Sequence, residues 1–135
     1  MSRVLIVGGG YVAVWAHRAI HRRLRRRMAR GEVSTTIVAP LVSHRFHGFT
    51  GEVLGGIMPP NRVVTPLAGL CPGAELIDGA VTAVDLAARR ATVVAGDRGT
   101  VTLDYDHLVL AAGSSDSQRP AGIAEHGHST KNAGS

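Results

Sequence analysis

The sequence predicts an α/β fold: a Rossmann-like parallel sheet, incomplete, into which a three-stranded β-meander is inserted. Three observations carry this. The apolar run Val4-Leu5-Ile6-Val7 meets a glycine cluster and passes directly into a helical pattern. A second, β-branched run, Val33-Ser34-Thr35-Thr36-Ile37-Val38, follows that helix at the spacing of a β-α-β crossover. From Val81 onward the pattern changes to short alternating segments joined by turns.

Taken in order, residues 3–7 read as a buried strand and 11–30 as a helix, with Gly31 at its C-terminal stop. Ala13, Ala16, Ile20, Leu24 and Met28 recur at helical spacing and form an inner seam. Pro40 closes the second strand, and a long loop follows through His44-Arg45-Phe46-His47-Gly48-Phe49. A short helix is expected from Thr50 to Gly55, broken by Pro59-Pro60, and another over 62–70. Glu75-Leu76-Ile77 reads as a third core strand. The meander strands are expected at Val81–Leu86, Arg90–Val94 and Val101–Leu103, with turns at Ala87-Ala88-Arg89 and Gly96-Asp97-Arg98-Gly99. An apolar strand then runs from Tyr105 into Ala111-Ala112-Gly113. Residues 1–113 are expected to form the domain. Residues 114–135, rich in Ser, Gly and Asn, are expected to be a poorly ordered tail.

Composition narrows the function classes. The chain has 135 residues, enough for one core, and 44% hydrophobic content argues against intrinsic disorder. No segment approaches the roughly 20 apolar residues of a membrane span, and the N-terminus lacks the pattern of a signal peptide. A cytoplasmic setting is the expectation. One cysteine, Cys71, excludes an internal disulfide and reads as packing; the seven histidines show no metal-ligand spacing, so no metal is expected. The net charge of +5 comes mainly from Arg18, Arg22, Arg23, Arg25, Arg26, Arg27 and Arg30. These read as the solvated outer face of the first helix. No aromatic residues interleave them to stack bases, so no nucleic-acid partner is expected.

Gly8-Gly9-Gly10-Tyr11-Val12-Ala13 is a Gly-x-Gly-x-x-Ala sequence between strand and helix, the Rossmann dinucleotide fingerprint in its required context. Gly8 permits the tight turn, Gly10 lets backbone approach a diphosphate, and Ala13 keeps the helix close to the sheet. The diphosphate charge would rest on free N–H groups at the positive end of the helix dipole.

Four segments in order make the chain resemble the first part of a flavin-dependent pyridine nucleotide oxidoreductase, and within that superfamily the type II NADH dehydrogenase-like flavoproteins. Val7 through Ala13 is similar to that family's loop for the diphosphate of flavin adenine dinucleotide (FAD). His44-Arg45-Phe46 through Glu52-Val53-Leu54-Gly55-Gly56 resembles the loop and helix after its second strand. Glu75 through Asp85 resembles its third strand and the start of the meander. Tyr105-Asp106-His107-Leu108-Val109-Leu110-Ala111-Ala112-Gly113-Ser114 is similar to its Tyr-Asp-x-Leu-Val-x-Ala-Thr-Gly-Ser signature.

The resemblance implies FAD across the carboxyl ends of the parallel strands. Gly8, Gly9, Gly10, Tyr11, Val12 and Ala13 would serve the diphosphate, with Ala39 at the adenosine ribose and Ala112 and Gly113 beside the cofactor. His44, Phe46 and Glu52 are carried over from the matching loop. It further implies hydride transfer from NAD(P)H to flavin and onward to a quinone or another acceptor, with the flavin doing the chemistry. No side chain stands out as general acid or base.

Two departures qualify this. The acid that usually holds the ribose hydroxyls at the end of the second strand is replaced by Ala39. A charged hydrogen bond is worth about 1.5–3 kcal/mol, so its loss corresponds to roughly ten- to a hundredfold in affinity. Second, the family's NAD(P)H domain and C-terminal helices are not matched here, so the expected fold is an incomplete FAD-binding domain without turnover of its own. The alternative readings are a non-catalytic remnant or interaction module, exposing sheet edges and forming a homo-oligomer or needing a partner chain, and nucleic-acid binding by the arginine helix.

Overall fold

The computed structural model describes residues 1–96, 99–114, 117 and 121–127. β1 (Ser2–Val7) leads into α1 (Tyr11–Ala29) and β2 (Val33–Ala39). Next come β3 (Ser43–Arg45), α2 (Thr50–Leu54), β4 (Val64–Pro66) and α3 (Leu67–Leu70). Four strands follow: β5 (Glu75–Asp85), β6 (Arg90–Ala95), β7 (Gly99–Asp104) and β8 (His107–Leu110). A single turn of helix, α4, spans Ile123–His126. Single 3₁₀ turns occupy Pro40–Val42, His47–Phe49 and Pro60–Val63.

One six-stranded sheet has the order β7-β6-β5-β2-β1-β8. β1 pairs in parallel with β2 and β8, and β2 in parallel with β5; β5, β6 and β7 form an antiparallel meander. Strand order therefore reverses at β1, because the chain grows toward β2 and β5 on one side and returns as β8 on the other.

Alternation along β1 divides the core between the two faces of this sheet. Val4 and Ile6 pack with Ala13, Val14, Ile37 and Leu67 beneath α1. Leu5 packs on the opposite face with Val38, Ile77, Ala91, Val93 and Tyr105, so the meander closes the side that α1 leaves open.

α1 keeps the predicted extent to within a residue. Its end is a Schellman motif: Gly31 N–H donates to Met28 O at 2.9 Å and Glu32 N–H to Arg27 O at 2.9 Å, with Gly31 at φ +70°. Arg27 and Arg30 both bond the Glu32 carboxylate just beyond, which holds Glu32 below its ordinary range, with Arg30 the larger cause.

Two expectations are corrected. The third core strand and the first meander strand are one continuous strand, β5, which changes partner partway: Glu75–Asp78 pair with β2, and Gly79–Asp85 with β6. The helix expected over 62–70 is a 3₁₀ turn, a strand and one helical turn. Pro66 disfavours helical backbone at Thr65, and β-branched Val64 pairs with Arg45. The expected tail falls mostly outside the described residues, as do Asp97 and Arg98 of the expected turn. No helix among the described residues is long and apolar enough to cross a membrane.

Candidate functional site

A cleft of about 450 Å³ opens at the carboxyl ends of β1, β2 and β8, where strand order reverses. In open parallel sheets this is where ligands bind. Its floor is the β1–α1 turn, Gly8 to Val12; one wall is Ala39 and Pro40, and another Ala111 to Ser114. Ser43, Arg45 and His47 complete it.

Each glycine of the turn has a different task. Gly8 has φ +112°, and a Cβ there would strike the Ala111 carbonyl. The turn is pinned on both sides, by Gly8 N–H to Val38 O and by Ala111 N–H to Val7 O, each 2.8 Å. A Cβ on Gly9 would crowd the Ser43 carbonyl at 3.0 Å and Leu67 Cδ1 at 3.2 Å, so Gly9 faces the protein. Gly10 faces nothing within 4 Å. It is also the N-cap of α1, with no side-chain cap and no acid in the first turn. Among the described residues the first-turn N–H groups have no side-chain acceptor, and the Cβ that would restrict approach to them is missing.

Behind the turn lies an aromatic brace. His44, nearly buried, bonds the Gly9 carbonyl through Nδ1 at 3.1 Å; because the partner is a carbonyl, Nδ1 carries the proton. The Tyr11 ring meets His44 edge-on at 4.8 Å and Phe46 at 6.0 Å, and its hydroxyl accepts the His47 N–H at 3.1 Å. Two residues expected at the cofactor, His44 and Phe46, are not among those lining the cleft; His44 bonds the turn and Phe46, exposed, packs against Tyr11. Ala13 is fully buried against the sheet. Glu52, on α2, also lies off the cleft lining. Gly8 to Val12, Ala39, Ala112 and Gly113 all line it.

Sequence reading missed Ser43, Arg45 and His47. They stand in a loop without periodicity; Ser43 and Arg45 are placed by the pairing of β3 with β4, and His47 by the following 3₁₀ turn and its N–H bond to the Tyr11 hydroxyl. Arg45 is half-buried and makes no ion pair among the described residues. No acid lines the cleft among the described residues. At the end of β2 the nearest carboxylate in register is Asp78, opposite Ala39; its Oδ1 accepts the Leu41 N–H at 2.8 Å.

The Tyr-Asp of the last signature is structural. Tyr105 is buried and its hydroxyl donates to Asp85 O at 3.3 Å. Asp106 takes the Arg3 N–H at 2.7 Å and bonds the Arg3 side chain, tying the start of β8 to β1; that backbone bond is the main reason its carboxyl titrates below the usual range. No group of three or more metal-ligating side chains is gathered among the described residues.

The fit to a diphosphate is therefore good: an open approach at Gly10 and, among the described residues, N–H groups without a side-chain cap and a cationic lining without an acid.

No protein-family model matches the chain. It is similar to an NADH dehydrogenase-like protein of Mycobacterium tuberculosis, 31% identical over 132 residues, matched in two strains. The match takes in 94% of this chain and 30% of the relative, so the chain spans less than a third of that protein's length. In fold it is similar to the sulfide:quinone oxidoreductase of Aquifex aeolicus, with TM-score 0.74 at 24% identity, covering 93% of this chain and 27% of that one. It is similar also to NDH2 of Plasmodium falciparum, with TM-score 0.73 at 14% identity, covering 92% and 25%.

Proposed function

We propose, for a chain that matches the FAD-binding region of NADH dehydrogenase-like flavoproteins of the pyridine nucleotide-disulfide oxidoreductase group, that it binds FAD in the cleft at the β1–α1 turn. The observation that carries this reading is the open position at Gly10 above an uncapped helix start. Gly10 and the first-turn amides of Tyr11 and Val12 would hold the diphosphate. Ala39 and Pro40 would border the adenosine, and Ala112 and Gly113 would pass beside the cofactor. His44 would act indirectly, by fixing the Gly9 peptide.

Bound there, the flavin would supply the redox chemistry, taking a hydride from NAD(P)H and passing electrons to a quinone or other acceptor. The chain's own residues would bind and orient it. The residues that would hold the nicotinamide, and the identity of the acceptor, belong to the remainder of such a protein. The cytoplasmic setting belongs to this same reading.

The test is melting of the purified chain with and without FAD. A ligand held only by the folded form stabilises by about 2.7 kcal/mol at a hundred times its dissociation constant, here several degrees in Tm. Retained yellow colour and an FAD-dependent rise in Tm are expected. A colourless protein whose melting FAD does not move would refute the proposal.

A second reading, a non-catalytic module that associates with another chain, is favoured by one observation. β8 ends the sheet, and its Leu110 is 65% exposed. Association without any response to FAD would favour it.

A further inference from the structure

We infer that this cleft selects its ligand by diphosphate charge and leaves the adenosine ribose unread, with Arg45 as the specificity-determining residue. The inference rests on the dinucleotide reading above and goes beyond it.

Two observations point the same way. First, the acceptor that would read the ribose is missing. Ala39 stands at the end of β2, buried to 1% exposure, with no hydrogen-bonding group to offer. The carboxylate beside it in register, Asp78, has one oxygen committed to the Leu41 N–H and does not line the cleft. Second, a cation is present that no acid among the described residues balances. Arg45 lines the cleft from β3, half-buried, and among the described residues it makes no ion pair and no acid joins it in the lining. A guanidinium in that state keeps its field and its fork of donors for a bound anion, and a phosphate is the group that fork fits. His47 and Ser43 border it and add no negative charge.

The consequences separate this cleft from one that carries an acid on its second strand. Such an acid accepts from the ribose 2′-hydroxyl and discriminates against ligands that lack it. Here a ligand without that hydroxyl loses nothing. Affinity comes instead from the helix N–H groups and Arg45 acting on two phosphates, so removing one phosphate weakens binding and salt weakens it further.

The experiment is calorimetric titration of the whole chain with ADP, 2′-deoxy-ADP and AMP at two salt concentrations, alongside FAD. ADP and 2′-deoxy-ADP are expected to bind within about twofold of each other, and AMP about tenfold more weakly. Arg45→Ala should weaken ADP about tenfold and flatten its salt dependence, while Arg45→Lys recovers part of both. Ala39→Glu should create a preference for ADP over its deoxy form. Unchanged melting of unliganded Arg45→Ala establishes that the variant is folded.

If 2′-deoxy-ADP binds tenfold or more weakly than ADP, or Arg45→Ala leaves ADP binding unchanged, the inference is wrong while FAD binding stands. If neither ADP nor FAD binds the native chain, the dinucleotide reading itself fails, and this inference with it.

Discussion

Gly8 and Gly10 are two residues apart and look alike in sequence, yet they answer to different constraints. Gly8 is held in left-handed backbone against the Ala111 carbonyl, so a side chain there works against the fold. Gly8→Val is expected to cost more than about 3 kcal/mol, read as a collapse of the urea midpoint. Gly10 has φ −81° and open space before it. Gly10→Val should therefore shift stability by only about 1 kcal/mol while abolishing any FAD-induced rise in Tm. Equal damage by the two substitutions would contradict this division.

His17 shows what a buried polar residue does for the same helix. It is fully buried; Nε2 donates to Pro72 O at 3.1 Å and Nδ1 accepts from the Thr35 hydroxyl at 3.3 Å. Burial is the main cause holding its affinity for a proton below the ordinary value of 6.5, with the neighbouring His21 acting in the same direction. The sign follows directly. Below 6.5 the unfolded chain takes up this proton more readily than the folded one, so stability falls as pH drops through and below that value. Urea midpoints at pH 7 and pH 5 should differ, and the difference should shrink in His17→Gln. A pH-independent midpoint, or a native-sized loss in the variant, would overturn the assignment.

At the scale of elements, the strands and helix that place the cleft were legible in the sequence, and the loop that decorates it was not. β1, α1 and β2 carry strong local signals: an apolar run, a seam at helical spacing with a glycine stop, and a β-branched run. β3, β4 and β5 were misread because their character is set by partners. Thr65 and Pro66 look like part of a helix until β3 pairs alongside. β5 looks like two strands because Asp78 and Gly79 interrupt its apolar pattern where it changes neighbours. Gly79 marks that exchange: a Cβ there would lie 2.6 Å from the Val94 carbonyl oxygen and 3.0 Å from Ala95 Cα, both backbone atoms. Gly79→Val is expected to cost about 1–3 kcal/mol by forcing β5 and β6 apart. A urea melt with an unmoved midpoint would show that the meander has slack the geometry denies.

Of the cleft itself, the glycine turn and the Ala-Ala-Gly wall were readable, because a fixed motif encodes backbone shape. Arg45 and His47 were not. Arg45 depends on β3 meeting β4, a pairing of three residues with no periodicity to reveal it, and His47 on the 3₁₀ turn that follows.

At the scale of the molecule, one face of the sheet is covered by α1 and the other by the meander, and among the described residues no strand pairs beyond β7 or β8. β8 is the edge beside the cleft, and Leu110 on it is exposed. An unpaired strand with an exposed leucine is a template for association. Sedimentation velocity is expected to show concentration-dependent association, reduced by Leu110→Lys. A monomer at all concentrations would remove the second reading and leave the FAD proposal untouched.

The seat of the diphosphate at the first turn of α1 is the central claim, and amide chemical shifts of the labelled chain during titration with FAD read that directly. The largest changes are predicted at Gly9, Gly10, Tyr11 and Val12, with smaller ones at Ala112 and Gly113, and their loss in Gly10→Val. FAD binding whose shifts fall elsewhere, with the first turn of α1 unmoved, would contradict it.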